Sequence, residues 1–279
     1  MTIRALCTDI DGTLLDSRRQ LAERTVRTIR SLPDDVPVIL ASSRMPAAMR
    51  HLESELGLSR HPMICYNGGY ILYFENGRLG EAVPHVLDSV TIPLEHCRTI
   101  SRLAADTELH VSLYSEDRWY APAYDKWTER EERITKASPQ LAANADVLDD
   151  WQQRGAGAHK VMCMGPADHL EALITAIDAA CPGALHLYRS KSTYLEIAPR
   201  KISKATALEQ LLRKRYDISM AEVMAFGDNY NDIDLLKAVG VGVAVGNARD
   251  EVKAVANVIA ESNIDDGVAI TIEKYFQRP

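Results

Sequence analysis

The sequence predicts an α/β protein, a doubly wound parallel sheet with a smaller α+β domain inserted into it. Three observations carry this. A short apolar, β-favouring run (Ile3 to Thr8) opens the chain and ends in Asp9-Ile10-Asp11-Gly12-Thr13. Apolar strand-like runs then alternate with helical spacing at both ends of the chain, the pattern of a parallel sheet. In the middle that rhythm gives way to neighbouring strands and helices of α+β style.

In the first stretch, Leu21, Val26 and Ile29 recur at helical spacing after the acidic turn, and Val36 to Ala41 reads as a second buried strand. It runs into Ser42-Ser43-Arg44 and a helix whose Met45, Met49, Leu52 and Leu56 share a face, with Pro46 suited to the first turn. Pro62 to Tyr66 is a third strand, ending in Asn67-Gly68-Gly69. Tyr70 to Phe74 with Asn76-Gly77 then reads as a hairpin. The insertion is expected over 85–188. It holds helices at Pro93 to Ala105, Tyr124 to Lys136 and around Leu170 to Ile177. Its strands fall near Leu109 to Tyr114, Arg118 to Ala121, His159 to Met164, Leu185 to Arg189 and Tyr194 to Ala198. From Pro199 the first rhythm returns through Glu222 to Phe226, Gly242 to Val245 and Val258 to Ala260, with helices between and a last helix to Phe276. The sheet domain is therefore expected to be discontinuous, over 1–84 and 189–279.

With 279 residues, 46% hydrophobic and 25% charged, the chain suits two soluble domains. A formal charge of -7 argues against broad nucleic-acid binding, which needs a basic face. Five scattered cysteines without a Cys-x-x-Cys pair indicate neither a zinc site nor a disulfide framework. No leader-like or membrane-spanning apolar run is visible, so a cytoplasmic location is expected, with no membrane and no specific protein partner.

In an open parallel sheet, ligands gather at the carboxyl ends of the strands. Here those ends carry Asp9 and Asp11, then Ser42 and Ser43, then Gly227-Asp228-Asn229-Tyr230-Asn231-Asp232. Alternation puts Asp9 and Asp11 on one side of an extended strand, where they repel unless a cation or proton lies between them. Gly12 permits a sharp turn and a close anion approach. Asp228 is placed to join Asp9 on a divalent cation, magnesium by the hardness of the oxygens. Lys204 opens a helix, where a cation opposes the helix dipole unless it reaches an anion. Each piece alone has a plain reading too: an acidic turn, a serine cap, an Asx cap or an exposed lysine.

Asp9-Ile10-Asp11-Gly12-Thr13-Leu14, Ala41-Ser42-Ser43-Arg44, Lys204 and Gly227 to Asp232 resemble, in order, the motifs of the haloacid dehalogenase superfamily. The place and style of the insertion resemble its Cof-type, class IIB sugar-phosphatase branch. That resemblance implies a Rossmann-like core with a C2B-type cap. It implies Asp9 as nucleophile and Asp11 as general acid and base. Mg²⁺ would be held by Asp9, the backbone carbonyl of Asp11 and Asp228. Gly12, Ser42, Ser43, Lys204 and Asn231 would serve the phosphoryl group, with Arg44, Asp232, Asn67 and Gly68 in support and Asn67-Gly68 at the cleft rim. The chain departs at Ser42-Ser43-Arg44, where Thr-Gly-Arg is usual. The insertion is expected to act as a lid, with Tyr114, Arg118, Trp119, Tyr188 and Arg189 as candidates for substrate choice or for plain packing.

The expected function is a Mg²⁺-dependent phosphatase of a small phosphorylated metabolite, a sugar or polyol phosphate, acting through an aspartyl phosphate. A phosphosugar mutase and a non-catalytic phosphate-binding module are the alternatives.

Overall fold

Strands covered on both faces read as continuous apolar runs rather than alternating ones. The computed structural model describes residues 2–74 and 83–276. In it β1 (Ala5–Thr8), β2 (Val38–Ala41) and β3 (Met63–Cys65) are buried at every position. Helices α1 (Glu23–Arg30) and α2 (Ala47–Leu56) connect them. β4 (Tyr70–Phe74) and β5 (Pro84–Ser89) extend the same sheet; the expected Asn76-Gly77 turn lies outside the described residues.

The chain then passes through α3 (Leu94–Ala104), β6 (His110–Ser115), β7 (Arg118–Ala121) and α4 (Lys126–Thr135). β8 (Gln140–Leu141), α5 (Asn144–Arg154), β9 (Lys160–Met164) and α6 (Ala167–Ala180) follow, and β10 (Leu185–Lys191) with β11 (Tyr194–Pro199) closes the insertion. It returns as α7 (Lys204–Arg215), β12 (Val223–Gly227), α8 (Ile233–Ala238), β13 (Val241–Ala244), α9 (Asp250–Lys253), β14 (Val258–Ile259) and α10 (Gly267–Phe276).

The first unit is an eight-stranded sheet in the order β14-β13-β12-β1-β2-β3-β4-β5. It is parallel from β14 to β3, and β4 runs antiparallel to β3. Thr8 lies opposite both Phe226 and Leu40, so β12, β1 and β2 end side by side. That register brings the residues after Gly227, Thr8 and Ala41 to one edge of the sheet.

The second unit is a six-stranded sheet, β10-β11-β9-β6-β7-β8. A buried cluster that includes Ile100, Trp151, Leu170, Leu195 and Ile197 packs its helices against it. Helix α5 was not expected: its acidic residues mask the stripe of Val147, Leu148 and Trp151, all of them buried.

The first unit comprises the residues up to Ser43, Met49–Asp88 and those from Ser203 onward; the second comprises Arg44–Ala48 and Ser89–Ile202. The expected edge at 188 is thereby corrected. It would cut β10, whose Leu185 to Lys191 pair with Pro199 to Tyr194, while β11 pairs in turn with β9. A hairpin laddered on both strands stays whole, and the border moves past β11.

Candidate active site

β1 ends at Thr8, and the Asp9 N–H continues the ladder by donating to the Phe226 carbonyl at 3.0 Å. The Asp9 side chain is thereby carried into the interior, 6% exposed. The expected alternation does not persist to Asp11, because the backbone is already turning there. The half-exposed Asp11 carboxylate pairs instead with Arg19 at 3.1 Å. Gly12 has φ +87°, and a Cβ there would sit 2.5 Å from Asp228 Oδ2, so only glycine lets this turn lie against that carboxylate. Thr13 Oγ1 donates to Asp228 Oδ1 at 3.1 Å, and Asn247 Nδ2 donates to the Gly12 carbonyl at 2.7 Å.

The second half of the site comes from α7 and the loop after β12. Ser203 caps α7 through a reciprocal bond pattern with Thr206, and the next residue, Lys204, points inward. Its side chain is wholly buried, and Nζ donates to Asp9 and, at 2.7 Å, to Asp232 Oδ1. Asp232 Oδ2 accepts the backbone N–H groups of Asp228 at 3.0 Å and Asn229 at 3.1 Å. Asp232 is therefore the brace that fixes both the lysine and the loop bearing Asp228. Gly68, at φ +112°, brings the segment after β3 against α7: a Cβ there would lie 2.6 Å from the Ser203 carbonyl. Asn67 is buried, accepts from Asn231 Nδ2 at 2.9 Å and donates its N–H to the Ser42 carbonyl. The expected rim position for Asn67-Gly68 is thus corrected to a buried prop beneath Asn231 and Lys204.

Three carboxylates around one ammonium leave excess negative charge in a buried place. Burial, with the Asp232 and Asp228 charges and against the pull of Lys204, pushes Asp9 well above the usual carboxylate range. Burial and the Asp232 charge push Asp228 up to about 6. Burial alone would lower Lys204, but Asp232 and Asp9 more than offset it and hold the ammonium charged above its ordinary range. A divalent cation would offset both the burial and the excess negative charge.

One oxygen each of Asp9, Asp228 and Asp232 lies within 4.8 Å of the others. Both Asp232 oxygens are already engaged. Asp9 and Asp228 therefore remain as carboxylate donors, a hard oxygen set that fits a divalent cation. The Asp11 carboxylate is not in this group. Ser42 is buried and Ser43 half-buried at the end of β2, while buried Arg44 donates to the Ala48 carbonyl at 3.0 Å. Thr13, Arg19 and Asn247 were not singled out from the sequence; only their contacts reveal them.

Within the insert, Tyr114 and Trp119 are 4% and 1% exposed. They face each other across β6 and β7 with rings 5.7 Å apart, so these two candidates for substrate choice are packing residues. Arg189 is also corrected: its guanidinium is taken by Glu171 on α6 and the Ser192 carbonyl. Tyr188 stacks on His186 at 5.2 Å, and Arg118 is exposed. The insert also holds a Ser–His–Asp chain: His110 bonds Asp125 and Ser112, each at 2.9 Å. Ser112 has no exposed surface and its Oγ accepts the Trp119 indole N–H. A nucleophile that no substrate reaches is scaffolding, and here it ties β6 to the cap of α4.

A family model for haloacid dehalogenase-like hydrolases matches residues 6–272. The Bacillus subtilis 5-amino-6-(5-phospho-D-ribitylamino)uracil phosphatase YitU is 25% identical over 274 residues, 96% of each chain. The structure of a haloacid dehalogenase-like hydrolase from Bacteroides thetaiotaomicron superposes with a TM-score of 0.87 at 27% identity, over 99% of this chain and 100% of that one. A structure described as a HAD subclass IIB sugar phosphatase shares the fold, with a TM-score of 0.78 at 18% identity and 98% of each chain covered. The chain belongs to the haloacid dehalogenase-like hydrolase family.

Proposed function

We propose that the chain is a Mg²⁺-dependent phosphatase of a small sugar or polyol phosphate and works through an aspartyl phosphate on Asp9. The buried Lys204, bonded to Asp9 and Asp232 beside Asp228, is the observation that carries this reading. A binding pocket for phosphate gains nothing from a carboxylate placed to repel its ligand, whereas a nucleophile needs one.

Asp9 attacks phosphorus, and the bond to the leaving oxygen breaks as Asp11 delivers a proton to it. Asp11, now a carboxylate, takes a proton from water, which attacks phosphorus; the bond to Asp9 breaks and phosphate leaves. Arg19 holds the Asp11 side chain in place between these two roles. Lys204 lowers the repulsion between Asp9 and the incoming dianion, and Ser42 with the Ser43 N–H receives the phosphoryl oxygens. Asp9, the Asp11 carbonyl and Asp228 would hold Mg²⁺, which when bound supplies the positive charge that the three carboxylates lack. The substrate class is supported by the sugar-phosphatase-like style of the insertion and by the polyol chain of the ribityl phosphate that names one relative's substrate.

The test is phosphate release from a panel of sugar, polyol, nucleotide and cofactor phosphates, with and without Mg²⁺. Metal-dependent release that vanishes in Asp9→Asn and Asp11→Asn is expected. Release at the wild-type rate in either variant would refute the mechanism.

A further inference from the structure

Helix α4 of the insert carries a feature that phosphoryl transfer does not use. Lys126, Arg130 and Arg133 recur at helical spacing and, with Trp127 and Glu129, line a cavity of about 370 Å³. None of the three cations makes an ion pair among the described residues. Other insert arginines behave differently: Arg98 pairs with Asp149, Arg154 with Asp150 and Arg189 with Glu171. The lining holds three cations against one carboxylate, Glu129, on a chain of formal charge -7. Like charges at this spacing weaken a helix, so the arrangement is one that an anion would relieve.

The cavity is also organised around a ring. Trp127 packs edge-on against Tyr194, centroids 5.8 Å apart, and the Arg130 guanidinium lies 5.2 Å from the same tyrosine ring. Lys191 approaches that ring at 4.9 Å. Tyr194 is 3% exposed, so a fixed side chain holds both Trp127 and Arg130 in place before any ligand arrives. The volume falls at the lower end of the range for small-molecule sites, enough for one ring and its substituent.

We propose that this cavity of the insert is a binding site for an aromatic or heterocyclic ring bearing an anionic group. The ring stacks on Trp127, and Arg130 and Arg133 take the anion, with Lys126 adding charge. The site stands whether or not the phosphatase reading does.

Intrinsic fluorescence tests it, because of the three tryptophans Trp119 and Trp151 are buried and only Trp127 is half-buried. The probe is phenylphosphonate, a ring joined to a dianion through a bond that phosphatases do not cleave. Saturable quenching is expected, absent in Trp127→Phe, and much weaker with inorganic phosphate or phenol alone. Arg130→Gln/Arg133→Gln should weaken binding about tenfold or more, since two charge-assisted contacts are lost. The same double variant should still release phosphate from a neutral-sugar phosphate at the wild-type rate. Absence of quenching, or an unchanged Kd in the double variant, would overturn the proposal. Loss of turnover together with binding would also overturn it, by assigning the arginines to the reaction itself.

Discussion

Lys204→Met removes the cation bonded to Asp9 and Asp232 and leaves a side chain of similar length. Lys204 has no exposed surface, and its partners Asp9 and Asp232 are 8% and 0% exposed at the side chain. Breaking a buried pair by deleting one partner costs about 3–5 kcal/mol, because the other charge stays buried and unmatched. For a unit of this size that is roughly a 6–20 °C fall in melting temperature. Calorimetry in chelator at pH 7.5 reads the whole effect, since a raised lysine stabilises fully below its unfolded pKa of about 10.4. The deficit should shrink on acidification: Asp9 and Asp228 are held above their unfolded pKa values, so the native state takes up protons there that the unfolded chain does not. Adding Asp232→Asn should recover part of the loss, with a coupling of about 0.5–3 kcal/mol between the two sites. A loss below about 1 kcal/mol for Lys204→Met, the worth of a surface pair, would refute the charge argument.

The remaining predictions test separate parts of the structure. Glu53 on α2 is buried and burial raises it to about 7, against the pull of Arg50, so stability should fall as pH rises from its unfolded value towards 7; Glu53→Gln should flatten that slope in urea titrations, by at most about 3 kcal/mol. His159 is lowered by burial to about 4, so stability should fall as pH drops from its unfolded value of about 6.5 towards 4. Its Nδ1 accepts the Glu116 N–H and Nε2 faces Ser89, so nitrogen NMR at neutral pH should show the proton on Nε2. Gly68→Ala should displace the start of α7 and reduce phosphate release more than it reduces binding of product, because the new Cβ would meet the Ser203 carbonyl one residue from Lys204; unchanged turnover would show that α7 tolerates the shift.

How much of this was legible depended on whether a residue's partner is close in sequence or is forced by strand order. The strand ends holding Asp9, Ser42 and Asp228 were legible, because short apolar runs ending in polar clusters are local signals and parallel strands align those ends. Lys204 was legible as a misfit, a cation at the wrong end of a helix. Arg19, Asn247 and the buried prop at Asn67-Gly68 were not, since each acts through a tertiary contact that no spacing announces. Tyr114 and Trp119 stayed open between substrate choice and packing for the same reason: aromatic residues on an antiparallel pair look alike whether they face a ligand or one another, and here they stack. The border at 188 failed because a strand's membership is decided by its ladder, which the sequence shows only as another apolar run.

The backbone around the cluster explains why the charges stay where they are. Asp9 is anchored by its own N–H to the Phe226 carbonyl, and Asp228 is held through its N–H by Asp232 and through its carboxylate by Thr13. Carboxylates free to move would separate and take up water. These are pinned by bonds from three directions, so their repulsion is stored rather than relaxed. Lys204 offsets only part of it, and burial together with the remaining repulsion raises the affinity of Asp9 and Asp228 for a proton. Proton and divalent cation therefore compete for the same oxygens. Metal affinity should rise with pH through about 6, with protons released on binding. Calorimetric titration of Mg²⁺ in two buffers of different ionisation enthalpy measures that release. Heats independent of the buffer at pH 6 would mean that the cluster binds its cation without giving up a proton, and the account of the site as a store of unbalanced charge would fall.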